Sequence, residues 1–387
     1  MGSPDKNYRE NPKRCVFVIG QINAESVQNL TPKIIEMRGE SSEPITIYID
    51  SPGGSTHHSE ILSGLLKSPN ADNNSCRIIT VVTGMAASAA ADLLASGDYS
   101  IAYPKSIVHY HGVRQEMVQD VTMERATLLA DLLKNANDQF AIQLAQRSFE
   151  RFMLLYLFLK SSDFPKIRED SKKRELTDVE CFAISLKRKL SLGVRSLIDE
   201  ALRRYKEVQE LDDYVWGNIT VEKTDSYAKT EAKILNKILE YELSKNEGKN
   251  WSLSAGGLLK TVEDFTVLSD FNFGRQNTVF VAVVDRWRKY FFTPDEQAGH
   301  TAAKADPSKQ AELERLNIDS LNRMRPIWYF VYSICKILQQ KENPLEAVDA
   351  YWLGIVDEVL GHNMPCSRLM VENSKDAAKE KQSETAA

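Results

Sequence analysis

The fold class this sequence predicts is α/β with a mainly helical insertion, and three observations predict it. β-branched runs alternate with helical runs from Arg14 to Tyr110, amphipathic helical periodicity takes over after about residue 115, and the alternating texture returns at Leu345. Arg14 to Gly20 is a short β-rich run closed by glycine, and Ala24 to Met37 carries Val27, Leu30, Ile34 and Ile35 at helical spacing. Ile45 to Asp50 predicts a second strand running into a Gly53–Gly54 turn, Glu60 to Leu66 a helix, and Ile78 to Thr83 a third strand feeding Gly84. Ala86 to Ser96, rich in alanine and leucine, predicts a helix, and Ser106 to Tyr110 a further strand. Such alternation argues for largely parallel pairing.

The segment from Gln115 to Arg147 places Val121, Leu128, Leu132 and Phe140 at broadly helical intervals. Thr177-Asp178-Val179-Glu180 is a capping-box string that opens a helix with Phe182, Leu186 and Leu190 on one face. Ala228 to Leu243 is a strong helical pattern, and Asp306-Pro307 and Arg325-Pro326 each place proline where a first helical turn accepts it. Thr278 to Val284 is β-branched enough for a strand and could equally begin a helix. The organisation expected is a flexible lead over 1–13, an α/β domain over 14–148 joined to 325–362, a mainly helical insertion over 149–324, and a disordered tail over 363–387.

With 387 residues and 42% hydrophobic content the chain is long enough for two domains and can bury a core. A net charge of −5 and the lack of a basic patch interleaved with aromatics speak against nucleic acid as a partner. The five cysteines, Cys15, Cys76, Cys181, Cys335 and Cys366, are scattered without a C-x-x-C pair, which predicts neither disulfides nor zinc and suits a reducing cytoplasm. The start of the chain is polar and reads as no signal peptide; the longest apolar run, Phe152 to Leu159, is far short of the roughly 20 residues a membrane span needs. No membrane partner is expected.

Three strings carry candidate chemistry: Ser51-Pro52-Gly53-Gly54, Gly84-Met85-Ala86-Ala87-Ser88, and Ser106-Ile107-Val108-His109-Tyr110-His111. A serine hydroxyl needs a base to take its proton, and attack on an amide creates an oxyanion that needs preorganised donors. Ser88 would stand where a strand meets a helix N-terminus, among alanines small enough to let a substrate backbone approach. The glycines would expose backbone N–H groups, so Gly54 and Ala89 form a two-donor oxyanion hole, each donor worth about 3 kcal/mol of transition-state stabilisation in known cases. Singly, each string has a plainer reading: a turn, a packing serine, a structural histidine. His109 and His111 alternate and so share a strand face, a geometry that would also suit a metal pair, but no carboxylate or thiol lies close by in sequence. Order and spacing together point to peptide-bond hydrolysis without a cofactor.

In that order the strings resemble the proteolytic subunit of the Clp protease, within the superfamily that also holds signal peptide peptidases and crotonases. The matching stretches are Arg14 to Asn23, Ile47 to Ser55, Gly84 to Ala89 with Met85 where glutamine is common, and Pro104 to His111. The resemblance implies the Clp/crotonase-like repeated ββα superhelix. It also implies a serine endopeptidase with Ser88 as nucleophile and His111, rather than His109, as base. A histidine there sets the Clp type apart from signal peptide peptidases, which use a serine–lysine pair. Leu345 to Asp357 resembles the family's closing helix and strand, which puts Glu342 where the family has its catalytic aspartate; Asn343 and Asp349 are fallback candidates. The family further implies an unfolded polypeptide substrate, a Clp-type ATPase partner and self-association, in which a ring is open but the family's double ring is not carried over, because the insertion would crowd the interface between rings. The Glu342 departure and the insertion favour a second reading, a weakly active or inactive subunit with an assembly role. The absence of a recognisable axial-loop sequence before Arg14 favours a third, a peptidase that works without an ATPase.

Overall fold

The computed structural model describes residues 11–70, 73–114, 122–171, 175–219, 227–245 and 292–365. Its contacts divide the chain into two compact units, Met1–Asp199 with Ile334–Ala387, and Glu200–Ser333. Thr278 to Val284, Cys366 and the tail from Glu372 lie outside the described residues.

The first unit is built on a seven-stranded sheet. Strands β1 (Cys15–Ile19), β2 (Ile45–Ser51), β3 (Ile78–Ala87) and β4 (Tyr99–Ala102) pair in parallel in that order. β5 (Ile107–Tyr110) pairs in parallel with β3, β6 (Asn343–Glu346) runs antiparallel to β5, and β7 (Glu358–Val359) closes the sheet beside β4. Isoleucine and valine supply β2 and β3 because their branched side chains fit a pleated surface covered on both faces. Ile45, Ile47 and Ile49 are fully buried, each contributing roughly 1.5–3 kcal/mol by leaving water. Helices α1 (Ala24–Glu40), α2 (Thr56–Lys67) and α3 (Ala89–Ala95) follow β1, β2 and β3, so the α/β alternation is present as expected.

Three details depart from the periodicity. β3 does not end near Gly84 but runs to Ala87, because its second half, Met85 to Ala87, takes β5 as a new neighbour. The helix predicted from Ala86 therefore starts only at Ala89, after the strand has used the alanines. Ile35 faces solvent at 53% exposure, and Met37 takes the inward position beside Ile34. The four-residue β4 has no readable alternation, since all its residues are buried.

Helix α4 (Met123–Ser162) spans 40 residues, and its apolar stretch near Phe152 is core of the first unit. α5 (Phe164–Asp170) and α6 (Asp178–Lys189) pack against it, and α6 opens with the capping box anticipated at Thr177 and Glu180. A buried ion pair joins Arg151 of α4 to Asp357 just before β7, fastening the closing segment to the sheet. The short helix Ala347–Trp352 lies between β6 and β7.

The described part of the second unit is helical. One cluster packs Leu211, Val215, Ile238 and Tyr241 together. Another helix, Pro294–Ala305, is capped by Thr293 and Glu296, and Glu296 is paired with Arg323. Pro326 is not at a helix start: it lies inside the helix Gln310–Gln340. No helix among the described residues is long and apolar enough to cross a membrane.

Candidate active site

The loop after β2 is shaped by backbone bonds that leave one glycine N–H outward. Ile22 N–H donates to Gly53 O at 2.8 Å and Ser55 N–H donates to Ile22 O at 2.9 Å, forming a parallel bridge between Ile22 and Gly54. In such a bridge the N–H of the middle residue points away from the partner strand. Gly53 N–H is spent on Ser51 Oγ at 3.1 Å, and Ser51 Oγ in turn donates to Gly20 O at 2.6 Å. Both glycines have positive φ, 92° and 146°. A Cβ on Gly53 would overlap Ala87 O and approach Ser88 Cβ at 2.7 Å, and one on Gly54 would strike Ile22. Glycine is required here because the loop lies directly against the serine.

Ser88 is the residue between β3 and α3, with φ 55° and ψ −130°. Only Asn73 shares a positive φ among the described non-glycine residues, so the backbone is held strained at this point. Two bonds maintain it: Ser88 N–H donates to His109 O at 2.8 Å, and Ser88 O accepts from Ala91 N–H at 2.8 Å. Although Ser88 stands at the N-cap position, its hydroxyl does not cap the helix. Ala89 begins α3, so its N–H is one of the first-turn donors with no partner within the helix.

His111 follows β5. Tyr110, fully buried, donates its hydroxyl to Ala91 O at 3.1 Å and so ties the strand end to α3. His111 Nδ1 lies 2.7 Å from Gly112 O. A carbonyl can only accept, so Nδ1 carries the proton and Nε2 is the bare, basic nitrogen. His109 is different: its Nε2 is buried without a hydrogen-bond partner, and burial, reinforced by His111, lowers its pKa.

Ser88, Ala89, Gly54 and His111 line one cavity of about 660 Å³, together with Phe140, Asp92, Arg114 and Gln339. Ser88 and His111 face it without a hydrogen bond between them, a separation usual before substrate binds. The third candidate, Glu342, pairs instead with Arg114, both side chains 64% exposed. No hydrogen bond joins it to His111. Asp349, one fallback, is buried and accepts from Ser191 N–H at 2.9 Å and Ser191 Oγ–H at 2.7 Å, a brace for the loop after α6. Asn343, the other, pairs in register with Tyr110, and its Nδ2 is buried without a partner.

Sequence reading missed Asp92, Arg114, Phe140 and Gln339. Only Asp92 had a local signal: four residues after Ser88 on a short helix, it lies on the same face. Burial, with Glu60 adding to it against the pull of Arg147, raises its pKa from 3.8 to about 7. The folded protein therefore holds a proton here that the unfolded chain releases between about pH 4 and 7, and the stability cost grows as pH rises through that window. Asp92→Asn removes the cost. We expect the variant's unfolding midpoint to gain on wild type from pH 4 to 8, by up to about 4 kcal/mol at the upper end. A gap that stays constant with pH would contradict the assignment.

Comparison with known proteins fits this geometry. Residues 7–146 match the family model described as Clp protease. The ATP-dependent Clp protease proteolytic subunit 3 of Synechococcus sp. (strain CC9605) is 27% identical over 146 residues, which is 36% of this chain and 70% of that protein. Proteolytic subunit 2 of Prochlorococcus marinus (strain MIT 9312) is 27% identical over 146 residues, 36% of this chain and 68% of the relative. The proteolytic subunit of Pleurastrum terricola is 30% identical over 102 residues, 26% of this chain and 50% of the relative. The glycine loop, the strained serine and the histidine all lie within the segment that is similar to the Clp protease family, which is about a third of the chain.

Proposed function

We propose that this protein is a serine endopeptidase that hydrolyses unfolded polypeptides as the proteolytic subunit of a Clp-type, ATP-dependent protease. The observation that carries the reading is Ser88: a non-glycine residue held at φ 55° on a strand-to-helix turn, its hydroxyl unspent and facing a cavity that also holds an imidazole. A sharp turn of this kind is how hydrolases present a nucleophile.

His111 Nε2 takes the Ser88 proton as Oγ attacks the scissile carbonyl carbon. The carbonyl oxygen becomes an oxyanion, which Gly54 N–H and Ala89 N–H receive. The imidazolium then returns the proton to the leaving amine, and water repeats the sequence to release the acyl group. Gly112 O performs one part of a triad carboxylate's task by fixing the imidazole tautomer. Glu342 is the third-position carboxylate in this reading; with its hydrogen bond committed to Arg114, it acts on the imidazolium through charge. An ATPase partner follows the relatives, whose names describe proteolytic subunits of ATP-dependent proteases; self-association follows the family resemblance, and a cytoplasmic setting suits the scattered cysteines.

A fluorophosphonate probe tests the assignment. Wild type is expected to be labelled and Ser88→Ala not, with peptide cleavage lost in the same variant. An assembled, folded wild-type sample that takes no label favours the other reading, an inactive subunit, for which the engagement of Glu342 by Arg114 is the supporting observation.

A further inference from the structure

We propose that Asp92 makes the wall beside Ser88 a pocket for a basic side chain, so that the enzyme cleaves after lysine or arginine. The inference rests on Ser88 being the nucleophile and adds the substrate class. Asp92 N–H donates to Ser88 O at 3.3 Å, which fixes the two residues one turn apart on the face of α3 that borders the cavity. Ala89, whose N–H is placed to receive the oxyanion, lies between them. In this reading the side chain of the residue whose carbonyl is attacked runs along this wall, which Ser88, Ala89, Asp92 and Phe140 line together.

The Asp92 carboxylate is short of partners. Its one hydrogen bond comes from Gln339 Nε2 at 3.4 Å, a long contact. Arg147, a basic group whose charge acts on Asp92, spends Nη1 on the Asp92 backbone carbonyl at 3.2 Å and makes no ion pair with the carboxylate. Behind Asp92 the wall opens into a narrow recess of about 20 Å³, reached past Ala89 and Phe140 and bordered by Glu60 and Arg147. It has room for a water molecule but not for a side chain. An incoming side chain thus stops at Asp92, with Phe140 beside its aliphatic stem.

The chemistry selects a cation. An ionised carboxylate is acceptor-only, and a hydrogen bond from a charged donor is roughly twice as strong as one from a neutral donor. Glu60 adds negative charge on the same side, and burial raises the Asp92 pKa against the pull of Arg147, so the carboxyl group has a weak hold on its charge until a second cation arrives. A lysine or arginine supplies that cation and draws Asp92 into its ionised form, whereas leucine leaves the carboxyl group protonated and gains no charge-assisted bond from it.

The test compares fluorogenic peptides that differ only in lysine, arginine, glutamine or leucine before the cleaved bond. In wild type the basic residues are expected to exceed leucine by about tenfold or more in kcat/KM, and Asp92→Asn to reduce that ratio by about tenfold. A second measurement does not depend on catalysis: calorimetric binding of benzamidine, a cation with no electrophile, to the assembled wild type and to Asp92→Asn. Binding to wild type that the variant loses supports the pocket. A leucine preference in wild type, a ratio unchanged by Asp92→Asn, or equal benzamidine binding by both proteins overturns it. Fluorophosphonate labelling keeps the two ideas apart: a labelled serine with no basic preference defeats the pocket alone, and an unlabelled serine with Asp92-dependent benzamidine binding defeats the peptidase reading alone.

Discussion

His111→Ala is expected to lower peptide turnover by at least about 10⁴-fold, while Glu342→Gln lowers it by only about tenfold. The imidazole is the group placed to take the Ser88 proton, with Nε2 left basic by the Nδ1 contact to Gly112 O. Without it the serine remains protonated at neutral pH, and only the oxyanion donors and substrate binding still act. Glu342 contributes less because a backbone carbonyl already fixes the tautomer and Arg114 engages the carboxylate. Steady-state turnover of a quenched peptide, measured on variants that assemble like wild type, decides the matter. A His111→Ala enzyme within tenfold of wild type would exclude histidine catalysis. A Glu342→Gln loss as large as that of His111→Ala would show that Glu342 leaves Arg114 for the imidazole in the working enzyme.

The largest stability loss is expected from Arg151→Ala. Arg151 and Asp357 side chains are 3% and 1% exposed, and Arg151 Nη2 lies 2.9 Å from Asp357 Oδ2. Arg151 also donates to Ile355 O at 3.1 Å and to Ser100 Oγ at 3.0 Å, while Asp357 Oδ2 accepts from Ser100 N–H at 2.7 Å. Removing the guanidinium leaves a buried carboxylate without its counter-charge, a change that costs about 3–5 kcal/mol. In a domain of this size that corresponds to a fall of about 10 °C or more in the melting temperature of the first unit. Arg151→Met with Asp357→Leu removes both charges and is expected to recover part of the loss. If the single variant melts within 2–3 °C of wild type, a shift of about 1 kcal/mol or less, the pair does not hold the closing segment.

Much of the fold could be read locally. The strands at Cys15–Ile19 and Ile45–Ser51 and the capping box at Thr177 and Glu180 are short-range features, set by β-branched runs and by one side-chain-to-backbone exchange. β4 was not legible, because four uniformly buried residues show no alternation, and Pro326 misled because its helix continues on both sides of it. Similarly, the alanines before Ser88 have helical propensity, but pairing with β5 made them strand.

By itself the sequence determined the identities and order of Ser88, His111 and the glycine loop, and with them the proposed chemistry. Spacing along one strand or turn is a local property, and these three strings lie close together in the chain. Tertiary structure alone decided which groups surround them. Gln339 reaches Asp92 across 247 residues of chain, and Glu342 reaches Arg114 across 228. Contacts at such separations follow from how the sheet closes through β6 and β7, which no local propensity specifies. The same closure brings Gln339 onto Asp92 and commits the expected third triad residue to an arginine.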